Sequence, residues 1–447
     1  IMSISNIFET SKRSLLNHQS AINTTAKNVA NVYTDGYTRR TFDLSSLSLG
    51  FGSMSEDSIS RVKNQFLDNQ IWYENQALGK ESMSEMLLKQ VETAFGEPED
   101  SGLANIMTEF WNSWSSLANN PESDSARSLV RDKGVLLSNT FNRLDKNLKN
   151  LQKQTGIEIQ QKVNEINQLV TQLGTINKHI DTHRSDDLID QRDVLLSELA
   201  SKIDIQVTEN PSGTIEVLAG GHILISENYT NQLKTHMTQD SNGLFHSNIK
   251  TIQGNKNIDV ISGELGGLLE FHNIHISSYI NSINESAVSL ANEVNKVHVK
   301  GFNLTGLSGL NFFKDTISGA GDFSLSAEIL SDSSLIATSS EPDVSGDSTS
   351  AQAIVELQYD EIINGKSVLD NYNTLIGDVG NRVQEATFVR QNQEKIVQQL
   401  QIQKSSITGV SLDEEMTQLI QFEQAYGAAA KMISTVDELM QTILSLG

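Results

Sequence analysis

Apolar side chains recur at alternating steps of four and three through the C-terminal run. The series is Leu412, Met416, Leu419, Glu423, Tyr426, Ala430, Ile433, Asp437, Met440 and Leu444. This is the seam of a coiled coil with two acidic interruptions. A second stripe, Met432, Val436, Leu439, Ile443 and Leu446, runs beside it, so the predicted helix needs more cover than one partner helix gives. Ser411 and Glu414 have capping-box spacing, and Asp413, Glu414 and Glu415 put negative charge at the positive end of the helix dipole. The same stepping at the N-terminus gives Ile4, Phe8, Ser11, Leu15, His18, Ile22, Thr25 and Val29, a half-polar seam whose natural cover is the C-terminal helix. That first helix is expected to stop at Asn31. Thr34-Asp35-Gly36 supplies turn chemistry, with Gly36 free to take positive φ, and 37–42 alternates as an extended segment.

Between the ends, the pattern predicts helices over 60–94 and 103–117. Val62, Phe66, Trp72, Tyr73, Met83, Leu87 and Val91 are the expected core of the first, and Phe110, Trp111 and Trp114 of the second. A proline-free periodic span over 123–180 reads as one or two long helices, followed by another over 186–201. The period switches to two at Ile203-Asp204-Ile205-Gln206-Val207. Pro211-Ser212-Gly213, Gly220-Gly221 and Asp240-Ser241-Asn242-Gly243 then punctuate short strands. Helix resumes over 264–299. An irregular patch, 301–347, follows, with Phe312-Phe313 as an apolar anchor and a hairpin around 323–336, and a long helix over 351–404 leads to the terminal seam. The predicted fold is mainly α with a small inserted β domain, nested: 1–45 pairs with 405–447, 46–201 and 263–404 form a helical-bundle body, 202–262 is the β module, and 301–350 is an irregular insertion.

Composition narrows the function classes. The chain of 447 residues has room for several domains, and its 56 acidic against 33 basic side chains give a net charge of −23, which repels nucleic acid and anionic membrane surfaces. No apolar run is long enough to span a bilayer, and no basic segment followed by an apolar core opens the chain, so neither a membrane anchor nor Sec-type export is expected. The absence of cysteine removes disulfides and thiolate chemistry. His179 and His183, one turn apart and followed by Asp186 and Asp187, have the spacing of a divalent-metal site in a hydrolase. They lack the glutamate of the His-Glu-x-x-His pattern and read as surface histidines near a helix end. His272, His275 and His298 form a second, looser set. Gly220-Gly221 and Gly266-Gly267 lack a lysine or helix start for phosphate and read as a turn and a close helix contact. No nucleophile elbow is present, and no catalytic residue, metal or cofactor is expected. Gly427 with Ala428 to Ala430 offers a surface on which helices can approach closely.

The segment Asn28 to Arg39 resembles the signature of flagellar rod, hook and hook-associated proteins, Asn-x-Ala-Asn-x-x-Thr-x-Gly-Tyr-x-Arg. Asn28, Ala30, Asn31, Thr34, Gly36, Tyr37 and Arg39 match it, and Asp35 replaces a frequent proline. Further segments resemble the family of first hook-associated proteins. These are Gly102-Leu103 with Phe110-Trp111 and 117–121, then 187–193, 262–270, 409–416, Gln424-Ala425-Tyr426 and Ala428 to Ala430. The resemblance implies a non-catalytic structural protein at the hook-filament junction, outside the cell. It implies export unfolded through the flagellar type III channel, with a chaperone bound near the C-terminus beforehand, and assembly as a ring of copies between hook protein and the next hook-associated junction protein. Nucleic acid and membrane are not among the expected partners. A hook or distal-rod protein is the alternative, against which the 187–193 and 263–270 segments weigh. The expected assembly interface is Ile4, Phe8, Leu15, Ile22 and Val29 with Leu412, Met416, Leu419, Tyr426, Ala430, Ile433, Met440 and Leu444, under-buried in a single chain and ordered by neighbours.

Overall fold

The computed structural model describes residues 4–42, 59–96, 102–240 and 243–445. Helix α1 (Ile4–Ala30) runs into a turn and then strand β1 (Arg40–Phe42), which pairs antiparallel with β2 (Ile59–Arg61). The helix expected over 60–94 therefore starts later, as α2 (Gln65–Phe95). Asn64 caps it by accepting from Leu67 N, and the residues before it complete a hairpin with the N-terminal segment. Phe66 and Tyr73, expected in the core, are exposed.

Next come α3 (Leu103–Asn119) and α4 (Asp124–Thr182), a single helix of 59 residues capped by Ser123. Without a proline to interrupt it, α4 buries Val130, Leu137, Phe141, Leu144, Leu148 and Leu151 on one face and forms the spine of the molecule. After α5 (Asp186–Lys202) come two small antiparallel sheets. One contains β3 (Gln206–Glu209), β4 (Ile215–Ala219), β5 (His222–Ser226) and β6 (Tyr229–Thr230), and the other β7 (Leu233–Gln239), β8 (Phe245–Thr251) and β9 (Asn257–Ile258). Gly220 and Gly221, both at positive φ, make the tight β4–β5 turn. The chain returns through α6 (Gly263–Glu270), a π-turn at Phe271–His275 and α7 (Ile276–His298). Gly79 and Gly267 mark close crossings, since a Cβ on either would fall within 3 Å of a backbone carbonyl, that of Ser201 or Lys80.

The hairpin expected around 323–336 is instead the short helix α8 (Ala327–Ser331) between 3-10 turns, with an isolated bridge from Phe313 to Leu325. The long helix expected over 351–404 is two, α9 (Thr349–Glu356) and α10 (Val368–Thr408). Asn364 and Gly365, at φ 50° and 75°, turn the chain between them, an Asn-Gly signal that the helical periodicity masked. α10 lies antiparallel to α2: Lys404 Nζ is 2.7 Å from Asp68, and Gln393 Nε2 donates to Glu74 O at 3.1 Å. The last helix, α11 (Leu412–Ser445), turns back along α1. The architecture is thus mainly α with small inserted sheets. One continuous core joins the helices to both sheets, from Phe110, Trp114 and Phe312 to Val217, Leu224 and Ile249.

The abundant asparagines have a recurring structural use. Asn167, Asn177, Asn273 and Asn295 each accept from and donate to backbone groups, at Leu233, at Ile215, at Ser247 and at Phe313 respectively, so a helix side chain completes the hydrogen bonding of an extended edge. His298 does a similar job in the aromatic cluster of Trp114 and Phe312. Its Nδ1 lies 2.7 Å from Leu310 O, and its Nε2 accepts from Ala337 N at 2.9 Å, which requires the neutral ring protonated at Nδ1. Burial pushes its pKa down to about 4. The unfolded chain takes up this proton near pH 6.5 and the folded chain does not, so stability from this residue is complete above pH 6.5 and declines toward pH 4. Denaturant titrations of the wild type and His298→Gln should show their stability difference shrinking by on the order of 3 kcal/mol over that interval. A pH-independent difference would show that the ring is not held neutral.

Candidate functional site

The turn after α1 is built from its own residues. Thr34 N donates to Asn31 O at 2.9 Å, Thr34 Oγ1 donates to Asn31 Oδ1 at 3.1 Å, and Tyr37 N donates to Thr34 O at 3.2 Å. Gly36 takes φ 75° and lies so close to α5 that a Cβ would fall 2.1 Å from Val194 Cγ2. Ala30 faces solvent, and Tyr33 is 91% exposed.

From this turn a polar node gathers α1, β1, β2, α5 and α11. Asn28 is 1% exposed and uses its full capacity: Nδ2 donates to Arg40 O (2.8 Å) and Glu415 Oε2 (2.9 Å), while Oδ1 accepts from Tyr37 Oη (2.8 Å) and Arg40 N (3.1 Å). Successive side chains on extended backbone point to opposite faces, so the Arg39-Arg40 pair bridges two structures. Arg39 turns to α11, with Nε 2.8 Å from Glu415 Oε1 and Nη1 3.0 Å from Glu414 Oε2, and its backbone N donates to Thr408 O at 3.0 Å. Glu414, expected to close a capping box with Ser411, instead pairs with Arg39 on the extended segment that leads into β1. Arg40 turns to α5, reaching Asp187 and, at 3.1 Å, Asp190, and its guanidinium lies 5.1 Å from the Tyr37 ring centroid. Its cross-strand partner Arg61 meets Asp190 at 2.6 Å and Asp193 at 3.0 Å.

The three aspartates share a face because they recur every three residues along α5. Arg40's hydrogen bond holds the Asp187 carboxyl below the ordinary carboxylate range. Burial alone would raise Asp193, but Arg192 and Arg61 outweigh it and bring that group down as well. Burial likewise opposes the charges of Arg40 and Arg61, yet the aspartates more than offset it and both pKa values rise. The arrangement holds opposite charges in fixed geometry between the terminal helix pair and the body. Its chemistry is mechanical coupling.

Asn28, Tyr37 and Arg39 of the expected motif meet here, Asn31, Thr34 and Gly36 shape the turn, and Ala30 makes no contribution to the node. Arg40, Arg61, Asp190, Asp193 and Glu415 escaped sequence reasoning. Their signal was available in the adjacent arginines and in the three-residue spacing of Asp187, Asp190 and Asp193. The alternative metal pair falls apart: His179 and His183 are exposed at the end of α4, and Asp187 is committed to Arg40. His272 is buried in the π-turn, His275 lies 3.5 Å from Glu270, and His298 sits in the aromatic cluster.

The helix pair above the node also corrects the expected seam. On α1, Ile4, Phe8, Leu15, Ile22 and Val29 are half-buried. On α11 the buried centre is Glu415, Ala429 and Val436, with Phe422, half-buried and 6.3 Å from the His18 ring, between the first two. The bond from Asn28 to Glu415 sets that rotation, one residue away from the expected one. Leu419, Tyr426, Ala430 and Ile433 flank the contact as half-buried side chains, whereas Leu412 (39% exposed) and Met416 (47%) point away, and the acidic interruptions Glu423 and Asp437 face solvent. Met440 is exposed, and the side chain of Leu444 lies outside the described residues.

The family described as Flagellar hook-associated protein FlgK helical domain matches residues 88–313, and that described as Flagellar basal body rod FlgEFG protein C-terminal matches residues 404–446. The chain is 31% identical to flagellar hook-associated protein 1 of Bacillus subtilis (strain 168), over 98% of this chain and 97% of that one. It is 26% identical to the protein of the same name from Salmonella typhimurium, over 97% and 100%. The flagellar hook junction protein FlgK from Burkholderia pseudomallei shares the fold, with a TM-score of 0.68 at 15% identity over 76% of this chain and 100% of that one.

Proposed function

Because the chain belongs to the flagellar hook-associated protein 1 family, whose members are structural flagellar proteins and not enzymes, we propose that it joins hook to filament by tubular self-assembly of its terminal helices. One observation carries this reading: α1 covers a single stripe of α11 and leaves apolar flanks on both sides of it. Leu412, Met416 and Ile420 line one flank, Met432 and Leu439 the other, each between 39% and 53% exposed. A water-soluble monomer gains nothing from such flanks, and copies standing side by side bury them. Gly427, with no atom within 4 Å of a Cβ placed on it, leaves room for a neighbouring helix to approach.

In this reading residues 1–45 and 405–447 act as the assembly domain, and the body, the β module and the 301–350 insertion stand outside it. The copies form a ring that contacts hook protein on one side and the next hook-associated junction protein on the other. The same apolar flanks call for a chaperone at the C-terminal region before type III export, since a chain carrying them free in the cell would associate early. Electron microscopy of cells lacking the protein should show hooks without filaments, with filament protein shed into the medium. Cells missing the hooks as well would instead support a hook or distal-rod role, and normal filaments would end the proposal.

A further inference from the structure

We infer that the assembly surface extends below the terminal helices onto one side of the α2/α10 pair, and that its occupant is a second copy of this chain. The inference rests on the self-assembly reading and adds a place to it. Leu67 and Ile71 of α2 meet Leu400 of α10, and this contact defines the inner side of the pair. Trp72, whose Nε1 donates to Ser197 Oγ at 3.1 Å, and Gln76, whose Nε2 donates to Ile205 O at 2.9 Å, define the side packed on the body. Phe66 and Tyr73, one heptad apart, lie on the remaining side, 78% and 68% exposed. On α10, Val389, Ile396 and Gln403 repeat at the same interval on one flank, with Val389 and Ile396 37% and 42% exposed. Equivalent flanks of two antiparallel helices face the same way, so the aromatic pair and this aliphatic row form one strip.

Two features select the occupant. Along this strip, from Phe66 to Ala77 and from Val389 to Gln403, every position on the shared flank is apolar, Gln or Asn, in a chain whose net charge is −23. Copies of so acidic a protein repel each other wherever their carboxylates face, and an uncharged strip is where that repulsion is least. Charge depletion with exposed aromatics is also the composition of an interface centre. The second feature is continuity: Ile407 at the end of α10 and Leu412 at the start of α11 are 41% and 39% exposed and carry the apolar surface toward the flank of Met416 and Ile420.

The test uses the full chain expressed in cells lacking it. Phe66→Glu with Tyr73→Glu should leave the melting temperature of the purified protein unchanged, because both side chains are exposed, yet reduce the amount retained on isolated hooks by about tenfold or more. Tyr359→Glu, on an aromatic 77% exposed elsewhere, should retain normal amounts. A photo-crosslinker at position 73 should yield a product of twice the 49.2 kDa chain mass in assembled flagella. Loss of retention with Met416→Glu but not with the double variant would overturn this inference and leave the terminal-helix reading intact, whereas no loss with either would overturn both. A crosslink to a different flagellar subunit alone would also overturn it.

Discussion

Replacing Asn28 by alanine is expected to release the terminal helix pair from the body while leaving the body folded. The substitution deletes four hydrogen bonds at once and leaves the Glu415 carboxylate, 0% exposed, with Arg39 as its remaining partner on the first segment. A buried charged acceptor that loses its donor costs about 1–3 kcal/mol or more, and the backbone N–H and C=O of Arg40 lose their partners together. The summed effect is about 3–5 kcal/mol, concentrated where α1, β1 and α11 meet. Hydrogen exchange should show faster exchange through α1 and α11, with α3 and α4 unchanged, and flagella carrying the variant should shed filaments. Asn28→Asp should be at least as damaging, because it replaces a donor with a second carboxylate facing Glu415. Unchanged protection of both terminal helices in Asn28→Ala would show that the apolar contact between them suffices.

Arg127→Met is expected to destabilise the body by a similar amount, about 3–5 kcal/mol, through a different route. The Arg127 guanidinium is 0% exposed, and its hydrogen bonds among the described residues go to carbonyls and a hydroxyl. Its Nη2 donates to Pro121 O at 2.6 Å and Thr338 Oγ1 at 2.9 Å, its Nε donates to Pro121 O at 3.0 Å, and its Nη1 donates to Ile336 O. It clasps the 301–350 insertion to the start of α4. Burial lowers its pKa to about 10 against the opposing charge of Asp124, which still leaves it charged at neutral pH, so the oriented carbonyls of Pro121 and Ile336 and the Thr338 hydroxyl are what receive its donors. Methionine fills much of the volume but leaves those carbonyls without donors. Arg127→Lys should recover only part of the loss, because one ammonium cannot reproduce the planar fork. Denaturant unfolding measures the stability change, and limited proteolysis near 331–339 should accelerate. A variant within about 0.5 kcal/mol of wild type would mean the insertion docks through Phe312, Phe313 and Phe323 without the clasp.

Both predictions concern groups whose importance depends on partners far away in sequence, and this separates what could be read from the chain from what could not. Periodicity of apolar side chains located the long helices, the switch to alternating strands at Ile203, the end of α1 and the positive φ of Gly36, because each depends on residues within a few positions of one another. On α1 it found only part of the buried face: Ser11 and Thr25 of the expected seam are buried, and Ala21, Thr24 and Asn28 are buried beside them. Local order went astray in two places: helical periodicity over 351–404 hid the Asn364-Gly365 turn, and a helix start placed at Ser60 hid the pairing of β2 with β1.

The sequence by itself determined a mainly α chain with inserted β structure, amphipathic helices at both ends and a strongly acidic composition, since these follow from local spacing and summed charge. Only the tertiary structure decided which residues do the joining. Glu415 lies 387 positions from Asn28, and a buried hydrogen bond between them turned α11 by one residue, placing Leu412 and Met416 outward and the acidic interruptions in water. Periodicity reports that a helix has an apolar side; the strongest buried contact fixes which way that side faces, and that contact is made across the whole length of the chain.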